Sequence, residues 1–366
     1  MSPATSKVGS ARQERRHEEK NPDPFFRRAI EVNYLNGRAG PGKNKAVTKR
    51  IPTPFPVAVI GAGLIGRSWA IVFARAGHRV TVWDSDAAAI QSARVAIAGA
   101  LGELQRCELL DEAPPLVLER IGSASTLDEA VADAEYVQES TAERVDVKRL
   151  VFAQMDAAAA PACILASSTS TIPASAISAH LPGKHRCLVA HPVNPPHIVP
   201  LVEVAPAPWT APAVVSRTLA LHEQIGQVPI LVKKEVPGFV VNRLQAALLM
   251  EAWRLVQEDV CTVEDLDKCL KDGLGLRWSF MGPFETIDLN APGGLADYAS
   301  RYGPVFHDAL RDTHYTPWDD ELIAKVESQR RARLDQSQLK TRAAWRDRRL
   351  MALIAHKRAM ERSEPD

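Results

Sequence analysis

Residues 57 to 84, VAVIGAGLIGRSWAIVFARAGHRVTVWD, limit the possible folds more than any other stretch. Val57 to Ile60 is an apolar run of buried-strand length, and Gly61, Gly63 and Gly66 then give G-x-G-x-x-G where a helix has to begin. Each glycine has a reason. Gly61 permits the tight turn, Gly63 lets the backbone approach a pyrophosphate, and Gly66 lets the helix pack on the strand. Free N–H groups at the helix start then face an anion, with Leu64 and Ile65 completing the loop. An amphipathic helix with Trp69, Ile71, Val72 and Phe73 follows, then Gly77 as a stop, then a second strand from Arg79 to Trp83 ending in Asp84. A lone glycine motif is weak evidence, but strand, turn, helix, strand and acid in order make a Rossmann unit. Asp84 would accept hydrogen bonds from the adenosine ribose and repel a 2′-phosphate, which favours NAD over NADP.

The 366 residues exceed one average domain and suit two. Short apolar runs recur at Glu135–Glu139, Cys163–Ala166, Cys187–Ala190, Leu201–Val204 and Val228–Val232, with helical patterns between several of them. That alternation predicts an α/β fold with a doubly wound parallel sheet, whose ligands lie beyond the carboxyl ends of the strands. Ser167–Ser170 and His191–Asn194 would then share a rim with the glycine loop. After Pro237-Gly238 the texture turns wholly helical: a long apolar helix from Phe239 to Glu258, a capping box at Thr262 and Asp265, and helical patterns to about Arg349. The expected organisation is a flexible extension over 1–54, a Rossmann domain over 55–236, a helical domain over 237–349 and a tail over 350–366. A helix apolar around most of its circumference needs burial on several sides, which points to a homodimer.

The net charge of +1 hides basic ends, with 12 Lys and Arg against 5 Asp and Glu in residues 1–50 and 12 against 6 in residues 325–366. The 21 basic and 33 acidic residues between them leave the middle at −12. No aromatic interleaving accompanies the basic ends, so solvated tails are expected and not nucleic-acid binding. No apolar run is long enough to span a membrane. Five cysteines without a C-x-x-C pair suggest neither a metal site nor a disulfide framework, in keeping with a reduced, cytoplasmic setting.

Oxidising an alcohol with NAD needs a base for the hydroxyl proton, and a histidine serves best near neutrality. His191 follows a strand on the ligand rim, and Glu203 lies in the next strand-like run, where its carboxylate can return to the imidazole. The alternative is an ordinary turn histidine before a proline. Ser170, Asn194 and Asn242 offer donors for a substrate oxygen, though each also suits a turn or a cap. The segment Gly273–Pro283, read as a loop between helices, carries Arg277 beside Trp278. That guanidinium could meet a substrate carboxylate, or form a surface or intersubunit ion pair.

The stretches VAVIGAGLIGRSWA, ESTAERVDVKRLVF, SSTSTI, HPVNPPHIVPLVEV, VPGFVVNRLQ and LRWSFMGPFETIDLN occur in this order. On them the chain, from about Val57 to Arg301, resembles the 3-hydroxyacyl-CoA dehydrogenase superfamily, and within it the lambda-crystallin or L-gulonate 3-dehydrogenase branch. The resemblance implies a catalytic His–Glu dyad at His191 and Glu203, substrate-side roles for Ser170, Asn194 and Asn242, and contacts from Glu143 and Lys148 to the nicotinamide ribose. It also implies a Rossmann domain followed by a helical dimerisation domain. The acyl-CoA members hold the CoA phosphates with a basic cluster after the acidic residue, whereas residues 85–107 offer only Arg94 and Arg106. A small hydroxy acid such as L-gulonate is therefore favoured over a 3-hydroxyacyl-CoA or a carnitine-like substrate. A crystallin-like NAD-binding structural role is the non-enzymatic alternative.

Overall fold

Eight strands assemble into one sheet in the order β3-β2-β1-β4-β5-β6-β7-β8 in the computed structural model, which describes residues 54–311, 313, 315 and 317–363. The expected extension over 1–54 lies almost wholly outside the described residues. The strands are β1 (Pro56–Ile60), β2 (Arg79–Trp83), β3 (Ile121–Ser123), β4 (Tyr136–Glu139), β5 (Ile164–Ser167), β6 (Cys187–Pro192), β7 (Leu201–Pro206) and β8 (Val228–Leu231). Flanking them are α1 (Leu64–Arg75), α2 (Ala87–Arg106), α3 (Pro114–Glu119), α4 (Leu127–Val131), α5 (Val145–Ala158), α6 (Ala174–Ser178) and α7 (Pro212–Gln224). Helices alone follow: α8 (Val241–Gln257), α9 (Val263–Lys268), α10 (Gly275–Trp278), α11 (Pro283–Asp288), α12 (Gly294–Leu310), α13 (Asp320–Arg331) and α14 (Leu339–Ser363). Among the described residues no helix is long and apolar enough to cross a membrane.

The period-two alternation of the strands divides the core between two faces. Val57, Val59, Val80 and Val82 pack with Trp69, Ile71 and Phe73 of α1, while Ala58, Ile60, Val137 and Leu165 pack with Phe152 and Met155 of α5. Removing each large apolar side chain from water contributes about 1.5–3 kcal/mol, which is why these short runs become central strands.

The structure departs from the sequence expectations in five places. First, the sheet is not wholly parallel: β7 runs antiparallel to β6, and β8 follows β7. The eight residues linking Pro192 to Leu201 are too few for a parallel crossover, which takes about a dozen or more. Second, β3 was not anticipated; it is a three-residue edge strand with Gly122 at its centre, which weakens its signature. Third, residues 273–283 are not a simple loop, because a π-helix over Cys269–Leu274 runs directly into α10. Gly275 belongs inside this helical run, where a Cβ on it would lie 2.7 Å from the Leu270 carbonyl oxygen. Fourth, residues beyond 349 are not a tail, since α14 continues to Ser363 and places Leu350, Met351 and Ile354 against the core on the α1 side of the sheet. Finally, the apolar helix α8 buries only Val256 in this chain. Leu244, Phe280, Phe284, Leu289, Val305 and Phe306 of the helical part are likewise exposed.

The glycine turn makes a direct test. A Cβ at Gly66 would sit 1.8 Å from the Gly61 carbonyl oxygen, whereas one at Gly63 would meet nothing within 4 Å. Gly66→Ala is expected to lower stability by about 1–3 kcal/mol or more, and Gly63→Ala to leave it nearly unchanged. Thermal melts of the two variants check this, and equal melting temperatures would contradict it.

Candidate active site

The carboxyl ends of the central strands bring together four groups of side chains. The glycine loop supplies the first. Gly61 has φ of +104°, and the loop is tied to the second strand by the Asp84 carboxylate, which accepts from Ala62 N at 2.7 Å and Asp86 N at 3.0 Å. The open space at Gly63 and the free N–H groups at the start of α1 fit a dinucleotide pyrophosphate, and Asp84 stands at the end of β2 where an adenosine ribose would lie.

The second group surrounds Glu143, just ahead of α5. Its Oε1 accepts from Thr169 Oγ1 at 2.6 Å and Ser170 N at 2.9 Å, and its Oε2 lies 3.5 Å from Lys148 Nζ. Burial pushes the Glu143 carboxyl up, but those hydrogen bonds and the Lys148 charge outweigh it and hold it below the usual range. Lys148 is itself only 1% exposed and spends its charge chiefly on Glu139, at 2.9 and 3.0 Å from the two carboxylate oxygens. Thr141 and Ser167 complete the shell of Glu139. Glu139 escaped the sequence reading because it stands at the end of an apolar strand, where only its count of partners sets it apart.

The third group is the dyad. The antiparallel register sets His191 directly opposite Glu203, and His191 Nδ1 lies 2.7 Å from Glu203 Oε2. The other oxygen, Oε1, accepts from the backbone N–H groups of Val240 at 2.7 Å and Val241 at 3.0 Å. These are orphan donors at the start of α8, so a buried carboxylate caps the helix while holding the imidazole. Burial raises the Glu203 carboxyl, yet the bonds from His191, Val241 and Val240 prevail and hold it below the usual carboxylate range. An anionic acceptor at Nδ1 fixes the proton there and leaves the lone pair on Nε2. Phe239, buried and at φ +49°, packs beside the imidazole with ring centroids 5.7 Å apart. The Val240 and Val241 amides were invisible in sequence, since backbone donors leave no residue signature.

The fourth group links the two parts of the chain. Asn242 Nδ2 donates to the Ser170 carbonyl at 2.8 Å, tying the first turn of α8 to the loop after β5. Asn194, three residues past His191, is exposed. Arg277 stands apart from all of these. It lies exposed on α10 and, among the described residues, makes no side-chain hydrogen bond or ion pair.

The chain is similar to known proteins over most of its length. The family described as 3-hydroxyacyl-CoA dehydrogenase, NAD binding domain, matches residues 56–236, and the C-terminal domain of the same family matches residues 238–334. A lambda-crystallin homolog of Bos taurus is 44% identical over 305 residues, covering 82% of this chain and 95% of that protein. An L-carnitine dehydrogenase of Streptomyces griseus is 41% identical over 249 residues, covering 68% of this chain and 73% of that protein. Among solved structures, an NAD+-dependent dismutase, the 5-dehydrogenase of 5-formyl-3-hydroxy-2-methylpyridine 4-carboxylic acid, superposes with a TM-score of 0.72 at 30% identity. The match covers 83% of this chain and 99% of that one.

The depressed Glu203 carboxyl has a pH consequence. Its folded pKa lies below the unfolded value of about 4.3, so its stabilisation is complete above that pH and is lost as pH falls through the folded value. Acid unfolding followed by circular dichroism should show a shallower pH dependence in Glu203→Gln than in the wild type. Equal slopes would contradict the assignment.

Proposed function

The chain belongs to the 3-hydroxyacyl-CoA dehydrogenase family of NAD-dependent oxidoreductases, and on that premise we propose that it oxidises the 3-hydroxyl of a small hydroxy acid of the L-gulonate kind. The observation that carries the catalytic half is the His191–Glu203 contact of 2.7 Å in a buried setting. His191 Nε2 takes the substrate hydroxyl proton, and Glu203 stabilises the imidazolium that forms. Bound NAD supplies the hydride acceptor. Gly61, Gly63, Leu64, Ile65 and Gly66 hold its pyrophosphate and Asp84 its adenosine ribose, while Glu143 and Lys148 approach the nicotinamide ribose. Ser170, Asn194 and Asn242 orient the substrate oxygen, with Asn242 also fixing the Ser170 loop.

The preference for a free acid rests on charge. Gripping CoA phosphates needs a cationic cluster. On α2 the cations are Arg94 and Arg106, and Arg106 is already paired with Glu103 at 2.6 Å. The L-carnitine dehydrogenases and the pyridine-carboxylic-acid enzyme are relatives whose names denote small carboxylic acids, which supports the same reading. The exposed apolar side chains of the helical part support a two-fold homodimer that covers them.

His191→Gln is expected to lower kcat about 100- to 10,000-fold with NAD affinity nearly unchanged, because the base acts on the alcohol and not on the dinucleotide. Glu203→Gln should cost less. Stopped-flow NADH formation with L-gulonate and equilibrium NAD titration check this, and near-normal turnover by the His191 variant would remove it from the role of base. Light scattering at micromolar concentration should give twice the chain mass of 40.0 kDa. A stable monomer would contradict the dimer.

A further inference from the structure

A pocket of about 200 Å³ opens beside the site, between the first turns of α1, the middle of α2, the segment Asn194–Ile198 and α14. It is smaller than the roughly 300–1,000 Å³ of sites for drug-sized ligands, so its ligand is small. The charges on its wall do not cancel locally. Of its acidic members, Glu103 is held by Arg106 at 2.6 Å and Asp347 by Arg346 at 2.7 Å. That leaves the guanidinium groups of Arg67 on α1 and Arg348 on α14, both on the pocket wall and neither with a side-chain hydrogen bond or ion pair among the described residues.

The histidine on the same wall adds no charge to theirs. His197 lines the pocket, and its Nδ1 is buried without a hydrogen-bond partner. Burial first, then the charges of Arg75 and Arg67, push its imidazole down to about 4 against the opposing pull of Asp347. His197 is thus neutral near physiological pH. Two unpaired guanidinium forks on the wall of a small pocket that reaches Asn194 are what a small anionic ligand would satisfy.

We propose that this pocket holds the carboxylate end of the substrate, with Arg67 and Arg348 as its cationic partners and Asn194 at the end nearer the base. The inference rests on the hydroxy-acid reading and names the residues that would enforce it. Helix α14, which lies beyond the 238–334 match to the family's C-terminal domain, then becomes a substrate-specificity element. It closes the pocket with Met351, itself buried, and contributes Arg348 from the preceding turn.

The test is calorimetric titration of the full-length, NADH-loaded protein with L-gulonate and with its uncharged amide, alongside steady-state kinetics, for wild type, Arg67→Met, Arg348→Met and Arg348→Lys. Arg67, half-buried, should weaken gulonate binding about tenfold or more when removed. Arg348 is more exposed, so solvent screening limits its loss to about three- to tenfold, partly recovered by Lys. The amide should be little affected, and NAD affinity should stay constant in every variant. Unchanged gulonate affinity in both Met variants would overturn the proposal. So would a parallel loss of NAD affinity, since the arginines would then serve the dinucleotide. Wild-type turnover of gulonate with indifferent variants removes the pocket and leaves the hydroxy-acid reading standing. Arginine-dependent gulonate binding without NADH formation does the reverse. No gulonate binding by the wild type contradicts both. Because both side chains reach solvent, the variants should fold, and a thermal melt verifies that they do.

Discussion

The Glu203 carboxylate is the point on which the rest of the site depends. A fully buried anion is costly unless its oxygens are engaged, and here one oxygen accepts a hydrogen bond from His191 Nδ1 while the other accepts from two backbone N–H groups at the start of α8. One side chain therefore orients the base, caps a helix and joins the sheet to the helical part. The antiparallel pairing of β6 and β7 achieves this by setting His191 directly opposite Glu203. Asn242, one residue beyond the capped amides, then reaches the Ser170 loop, so the same helix start aligns both sides of the site.

A second buried carboxylate repeats the logic on the other side. Glu139 is satisfied by Lys148, Thr141 and Ser167, and Lys148 in turn lies beside Glu143. The outcome is a rim whose charges are fixed before any ligand arrives. Such preorganisation is what stabilisation of a developing charge requires.

Much of this was legible in the sequence, for physical reasons that can be traced to particular residues. The glycine loop was readable because the steric demand at Gly66 and the left-handed turn at Gly61 admit almost no other residue. Strands with strong apolar runs were readable, while β3 was not, because Gly122 removes its pattern. The reversal at β7 was encoded only in the length of a proline-rich link, and the Val240 and Val241 donors belong to the backbone and carry no side-chain signal. The helical pattern was legible to about Arg349, but the last turns of α14 were not, because Met351 is buried by what it meets and not by its neighbours in sequence.

The central claim is that Glu203 fixes the tautomer of the His191 imidazole, with the proton on Nδ1 and the lone pair on Nε2. Nitrogen-15 NMR of histidine-labelled protein, with the His191 signal assigned by its loss in His191→Gln, reads this directly at a pH well above the ordinary imidazole range of about 6.5. The account predicts a protonated Nδ1 and an unprotonated Nε2 in the wild type, with that preference lost in Glu203→Gln. A wild-type signal from a proton on Nε2 would contradict it.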